Sequence, residues 1–299
     1  MTLAFHWRFH PLAKRMKEVQ SQSDDYHLPL KQILDSGDLG KIKRAQASLC
    51  VPILNGKDIR YNFELGGGAT MDTGCYTINC VRLLVGDTVP PDYNPEDGAL
   101  MDMDVASAEP VTCYPQVDQS MKAKLVFSPR GGEDEKEKGH EGESEDGKVE
   151  ATIECSLYQF IPSAFAAVVG EKGEMRINNY IMPHLWHNLT TTIYETPEQA
   201  EERKNQTGGS KWWMISDRGP KHKVTEEKVG SIFDLSNTTY FYQLQAFANA
   251  VRAGLTANSS PEEILKVLPF YPEYDSLRNA EAIDKVYQAA GLKRRGEAL

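Results

Sequence analysis

The sequence predicts an α+β fold: a large, mostly antiparallel sheet of six to eight strands with helices on one face. Three observations carry that expectation. Between residues 42 and 229, short stretches alternate polar and apolar side chains with the two-residue period of half-buried strands. Gly170-Glu171-Lys172-Gly173 separates two of these stretches as the turn of a hairpin would. The last third instead repeats apolar residues at helical spacing. Strands and helices are thus segregated along the chain rather than alternating, which is the mark of the α+β class.

Residues 3–7 read as a strand end. His10-Pro11 then opens a helix, because proline's preset φ and missing N–H suit the first helical position. Leu12, Met16 and Val19 supply its apolar stripe. A second helical piece spans 28–34 and ends in a glycine turn at 36–40. Strands follow at 42–51, 103–114, 121–127, 149–160, 165–170, 174–178, near 190–195 and at 221–229. One face of this sheet should carry helices. The other needs a cover, and a second copy of the sheet is the simplest one. Tyr240, Leu244, Phe247, Ala248 and Val251 mark a helix that stops at Gly254. Pro269 and Pro272 interrupt the next stretch. A final helix runs from about 275 to 290, with Leu277, Ala280, Ile283 and Tyr287 on one side.

Composition narrows the partners. A net charge of −10 argues against nucleic acid or an anionic membrane. No apolar run approaches the roughly 20 residues of a membrane span. Residues 130–150 hold nine acids and four bases, too polar a run to offset its ordering entropy. It reads as a disordered acidic insert at about 130–148, or else as an acidic interaction segment. Cys50, Cys75, Cys80, Cys113 and Cys155 form no CxxC pair, and their number is odd. Reduced thiols in the cytoplasm are the expectation, and no zinc-ligand spacing occurs.

Chemistry concentrates at 64–86, ELGGGATMDTGCYTINCVRLLVG. Gly66, Gly67 and Gly68 allow a sharp turn or a close approach to a ligand. A helix then begins near Ala69, and Asp72, Tyr76 and Asn79 share one of its faces. Two readings of the pair stand side by side. Tyr76 is a buried phenol satisfied by Asp72, or it is the proton carrier of a hydride transfer. With an ordinary pKa near 10, about one tyrosine in a thousand is ionised at neutral pH, so a base role needs a nearby cation. Arg82 lies off the Tyr76 face. No G-x-G-x-x-G turn and no Walker-type phosphate loop occurs.

Taken together, these segments resemble the Gfo/Idh/MocA oxidoreductases, within them the NADP-dependent D-xylose dehydrogenase and dimeric dihydrodiol dehydrogenase branch. AFHWRFHP at 4–11 is similar to the family's segment after its Glu-Lys-Pro motif. The 66–76 stretch is similar to GGGxxxDxGxY, and DSLRNAEAIDKVYQAAGLKRR at 275–295 to the closing helix of the fold. SGDLGKIKRAQA and VGEKGEMRI agree in place and character.

The resemblance implies the family's C-terminal, glyceraldehyde-3-phosphate dehydrogenase-like domain over 1–299, serving substrate binding and dimerisation. It implies Tyr76 as catalytic acid/base and Asp72 as its support. Arg8, His10 and Asn79 would bind substrate, with Arg8 and His10 facing the cleft between domains or simply anchoring the crossover helix. The substrate would be a sugar, such as D-xylose oxidised to its lactone, or a dihydrodiol. The cofactor would be NADP or NAD, held by a preceding Rossmann domain whose lysine lowers the tyrosine pKa. The chain is expected to lack that domain and to bind no cofactor alone. The partner would be a second copy, paired through the open sheet face. The other expectation is a non-catalytic binding or dimerisation module.

Overall fold

A computed structural model describes residues 5–13, 16, 39–87, 101–129, 147–194, 196, 198, 221–229, 238–268 and 272–297. The expected helix at 28–34 and most of the acidic insert lie outside these residues. The strands are β1 (Ile42–Pro52), β2 (Met101–Tyr114), β3 (Val117–Pro129), β4 (Val149–Ser156), β5 (Tyr158–Gly170), β6 (Gly173–Asn178), β7 (His187–Tyr194) and β8 (Lys221–Val229). They form one sheet in the order β2-β3-β4-β1-β5-β6-β7-β8. Every neighbouring pair is antiparallel except β1 with β4.

The stretch expected as one strand at 149–160 divides at Leu157. β4 runs parallel to β1 on one side, and β5 returns antiparallel on its other side. Leu157 makes the crossing, accepting from Ile53 N and donating to Gln119 O at 2.7 and 2.9 Å. Both backbone groups of this buried residue are satisfied, which a sharp passage between strands requires.

Period-two alternation sends one set of side chains inward. A single row crosses the sheet: Ala123 beside Ile153, Ala47, Ala166, Ile177 and Leu189. All are at most 1% exposed. Alanines at the middle of the row let a helix approach the backbone closely. That helix is α1 (Cys75–Val85), which packs on β1, β4 and β5. Ile78, Cys80, Val81 and Leu84 fill the space, each at most 1% exposed. On the opposite face exposed charged side chains stand across from one another, Lys122 from Glu154 and Arg44 from Glu150.

Three further helices follow: α2 (Thr239–Arg252), α3 (Pro261–Leu265) and α4 (Pro272–Ala289). α4 covers the same sheet face at β2. Its buried side is not the expected one, because Leu277 is 59% exposed while Asp275, Ser276 and Asn279 are buried with Ile283 and Tyr287. The polar residues go inside because cations wait there. Asp275 pairs with Arg8 at 2.6 Å and with Arg82 at 3.2 Å. Arg82 also holds the buried Asp87 at 2.8 Å. In α2 the expected stripe of Tyr240, Leu244, Phe247 and Val251 forms on one helix, but each is about 60% exposed.

Candidate active site

The site begins with the glycine loop. Gly66 has φ +76 and ends a 3₁₀ turn at Phe63–Leu65. Gly67 and Gly68 then fold back, donating to Asn62 O and Arg60 O at 2.8 Å each. A Cβ on Gly67 would fall 2.6 and 2.7 Å from those same carbonyls, so only glycine fits. Beneath the loop Asp118 accepts from Thr70 N and Thr70 Oγ1, both at 2.7 Å, and from Tyr287 Oη at 3.0 Å. Arg295 completes this floor, pairing with Asp118 at 3.0 Å and lying over the Phe63 and Tyr287 rings. The loop is filled by the protein's own groups. A Cβ on Gly68 would already meet Asp118 Oδ1 at 2.2 Å. These residues therefore do not fit a dinucleotide pyrophosphate, which needs open N–H groups and no buried carboxylate.

The chain next makes a π-helical turn, Thr70–Gly74, before settling into α1. Such single π turns put an extra residue into the ladder and occur frequently at functional sites. Thr73 Oγ1 bonds Ala69 O and Thr77 Oγ1 bonds Gly74 O, which braces the turn from within. Gly74 is needed because Cys155 Sγ stands 3.0 Å from where its Cβ would be.

The turn separates the three side chains expected on one face. Asp72 is half-buried and pairs with Arg60 Nε at 2.9 Å, a contact without aligned hydrogen-bond geometry. Arg60 is held in turn by Asp58, whose carboxylate takes both Arg60 N and Nη1. Asn79 points inward, is 0% exposed, and donates to Asp275 at 3.1 Å. Arg8 joins that same buried network rather than the surface. Of the expected residues, Tyr76 and His10 are half-buried and each stands against aromatic rings.

Tyr76 stands edge-on to Phe5 at 5.3 Å and 5.8 Å from the His6 ring. His6 stacks on Tyr240 at 4.3 Å, and its Nδ1 is 2.8 Å from Thr239 Oγ1. His10 meets Tyr242 at 5.2 Å and His187 at 6.1 Å. Burial, then the Cys75, Tyr240 and Asp72 charges, push the Tyr76 phenol up to about 12. Burial and neighbouring imidazoles push His6 and His10 down to about 4. At neutral pH Tyr76 is therefore a protonated phenol, and His6 and His10 are neutral rings. Among the described residues, no group of three or more His, Cys, Asp or Glu is placed to hold a metal ion.

Sequence reasoning missed Arg60, His6, His184, His187 and Tyr240. A faint signal existed: His6 and His10 are four apart, and His184 and His187 three apart, beside otherwise apolar residues.

Comparison with known proteins bears on this arrangement. Residues 27–90 match the family of GFO/IDH/MocA C-terminal domains. Over 60 residues the chain is 38% identical to a dTDP-3,4-didehydro-2,6-dideoxy-alpha-D-glucose 3-reductase of Actinomadura kijaniata, covering 20% of this chain and 18% of that protein. Over 84 residues it is 32% identical to D-xylose 1-dehydrogenase (NADP(+)) 2 of Haloferax volcanii, covering 28% and 21% respectively. The chain matches only about a fifth of the length of these relatives. A 3-ketoreductase from Actinomadura kijaniata, solved with NADP and TDP-benzene, has the same fold at 17% identity and TM-score 0.57. The likeness covers 97% of this chain and 62% of that one. An aldose-aldose oxidoreductase from Caulobacter crescentus, solved with glycerol, gives 16% identity and TM-score 0.54 over 97% and 62%. The sequence match over 27–90 is thus to a GFO/IDH/MocA C-terminal domain, and the sheet with its helix-covered face is the fold of these solved structures.

Proposed function

We propose that this chain is the substrate side of an NADP- or NAD-linked oxidoreductase acting on a sugar or a diol, with Tyr76 as proton carrier. The observation that carries the reading is the setting of Tyr76. It is half-buried at the start of α1, and its phenol is held protonated by burial. A protonated phenol is a general acid. As a carbonyl is reduced, Tyr76 gives its proton to the oxygen that becomes the hydroxyl. In the opposite direction it takes the proton from an alcohol, and a cation within reach is then needed to bring its pKa down. Arg60 is not that cation, because Asp58 and Asp72 occupy it. Asp72 supports the site by fixing Arg60 against the loop.

The related reductases and the D-xylose dehydrogenase support a sugar and NADP. The glycine loop is filled by the chain's own groups and does not fit the dinucleotide, so no step through it is assigned to these residues. The second reading is a non-catalytic binding or dimerisation module. The open eight-stranded sheet supports pairing of two copies through its polar face. Among the described residues no helix is long and apolar enough to cross a membrane. A cytoplasmic location belongs to the same proposal.

Two measurements test the reading. NADPH titrated into the 299-residue chain should give no binding into the millimolar range; micromolar affinity would overturn the division of labour. In the enzyme that carries this chain together with a cofactor site, Tyr76→Phe should lower turnover about 10²- to 10⁴-fold. Unchanged turnover would remove Tyr76 from the chemistry. A chain that binds sugar but supports turnover in no setting would establish the second reading.

A further inference from the structure

The helix that carries Tyr76 is not capped by its own sequence. Ala69, the residue before the π turn, has no side chain to take the free N–H groups of the helix start. The cap comes from β3 instead. Asp118 accepts from Thr70 N and Thr70 Oγ1 at 2.7 Å each, a carboxylate set where a helix start carries partial positive charge. Its side chain is 0% exposed, and burial pushes its pKa up. A carboxylate so deep in the protein is costly unless a cation and hydrogen bonds offset its charge.

Arg295 supplies the cation. Among the described residues it is the one cationic side chain within ion-pair distance of Asp118, at 3.0 Å, and it is itself 6% exposed. The same guanidinium donates from Nε to Gly67 O. Its carbon lies 4.1 Å from the centre of the Tyr287 ring and 4.9 Å from that of Phe63, within range of cation–π attraction. Tyr287 in turn donates to Asp118 at 3.0 Å. Arg295 is also held from behind. Its Nη1 donates to Lys293 O at 2.8 Å, and Lys293 N donates to Gln116 Oε1 at 2.7 Å, in the turn between β2 and β3. The loop is moulded to this group, since a Cβ on Gly68 would fall 2.6 Å from Arg295 Nη2 and 2.7 Å from Tyr287 Oη. One side chain from beyond α4 thus holds the loop at Gly67 directly and at Thr70 through Asp118. Tyr76 sits on the first turn after the π turn that Thr70 opens, so a shift at Thr70 is carried to the phenol.

We infer that Arg295 is a positioning residue for Tyr76: by neutralising Asp118 and clasping Gly67, it fixes the start of the helix that aims the phenol. This rests on the Tyr76 reading above and deepens it. Without the guanidinium, Asp118 is a buried charge with no cation, and the chain relieves it by admitting water, which loosens the loop and the helix start. Lysine is a partial substitute, because it brings the charge without the planar fork that meets Gly67, Asp118 and two rings at once.

The test compares three forms of the 299-residue chain: wild type, Arg295→Met, and Arg295→Met combined with Asp118→Asn. Methionine fills much of the space without charge. Asparagine is neutral, needs no cation, and still accepts from Thr70 N. Two signals are read. One is amide hydrogen exchange at 68–72 relative to the amides of β1. The other is the ring resonance of Tyr76, assigned by its loss in Tyr76→Phe. Arg295→Met should lower protection at Thr70 at least about tenfold relative to β1, the equivalent of one hydrogen bond to a charged group, and should move the Tyr76 signal. The double variant should recover most of both, and Arg295→Lys should fall between wild type and Arg295→Met. Recovery in the double variant separates charge support from packing, since both variants lack the guanidinium. Wild-type exchange at Thr70 in Arg295→Met, an unmoved Tyr76 signal, or a double variant no better than the single would each overturn the inference. If Arg295→Met does not fold, a folded double variant with the wild-type Tyr76 signal supports it, and failure of both overturns it. None of these readouts needs turnover. A Tyr76 that proves idle in catalysis would leave them as stated, so the two failures stay distinguishable.

Discussion

Acid should destabilise this fold through His6 at pH values where most carboxylates are still ionised. Its side chain is 4% exposed, and burial first, the neighbouring His184 second, lower its pKa from 6.5 to about 4. In the unfolded chain the ring takes its proton near the ordinary value. Between the two values the unfolded state binds more protons, so stability falls as the pH falls. For one such site the loss is about 2 kcal/mol by about pH 5 and about 3 kcal/mol by about pH 4. His10 acts in the same direction, so the wild-type curve is steeper than one site allows. The comparison with His6→Phe isolates the first ring. Phenylalanine keeps a ring against Tyr240 and Tyr76 and takes no proton, and losing the Thr239 bond adds only a pH-independent offset. The assay is urea unfolding followed by circular dichroism at about pH 8 and about pH 5. With a slope of about 3 kcal/mol per M urea, the wild-type midpoint should fall about 0.7 M further than the variant's. Parallel shifts in the two proteins would refute the buried neutral histidine.

Asp275→Asn should cost about 3–5 kcal/mol, because Arg8 and Arg82, whose side chains are 3% and 2% exposed, would lose a shared carboxylate inside the protein; urea midpoints check it, and a loss under about 1 kcal/mol would show that water reaches the network. Gly67→Ala should disrupt the loop and free Arg60, whereas Gly66→Ala, with open space around it and a left-handed φ, should cost only about 1–2 kcal/mol. Equal effects from the two changes, measured by thermal unfolding, would mean that the contact with the 60–62 carbonyls does not hold the loop. Ala47→Leu, at the middle of the buried row under α1, should cost about 1–3 kcal/mol by overpacking. An unchanged melting temperature would show slack between helix and sheet.

Much of this molecule is written in local patterns. Two-residue alternation reports the strands because each strand has one face on the core and one face in water, as Ala45, Ala47 and Leu49 against Arg44 and Gln46 illustrate. The hairpin at Gly170–Gly173 and the stop at Gly254 are legible because turns demand particular backbone angles. Tyr76 stood out because a glycine loop led directly into its helix. What the alternation cannot say is which strands become neighbours. The parallel pairing of β1 with β4 joins residues about a hundred positions apart, and nothing in either strand alone selects it.

The sequence by itself determined the elements, the sheet's one-sided burial and the segment that carries Tyr76, since these arise from spacing within a few turns or strands. Only the tertiary structure decided what each polar group does. It turned Asn79 and Arg8 inward to Asp275, gave Asp72 to Arg60, and brought His187 to His10 across 177 positions. The physical reason is that a buried charge or ring nitrogen is defined by its partner, and partners here meet through packing rather than through proximity in the chain.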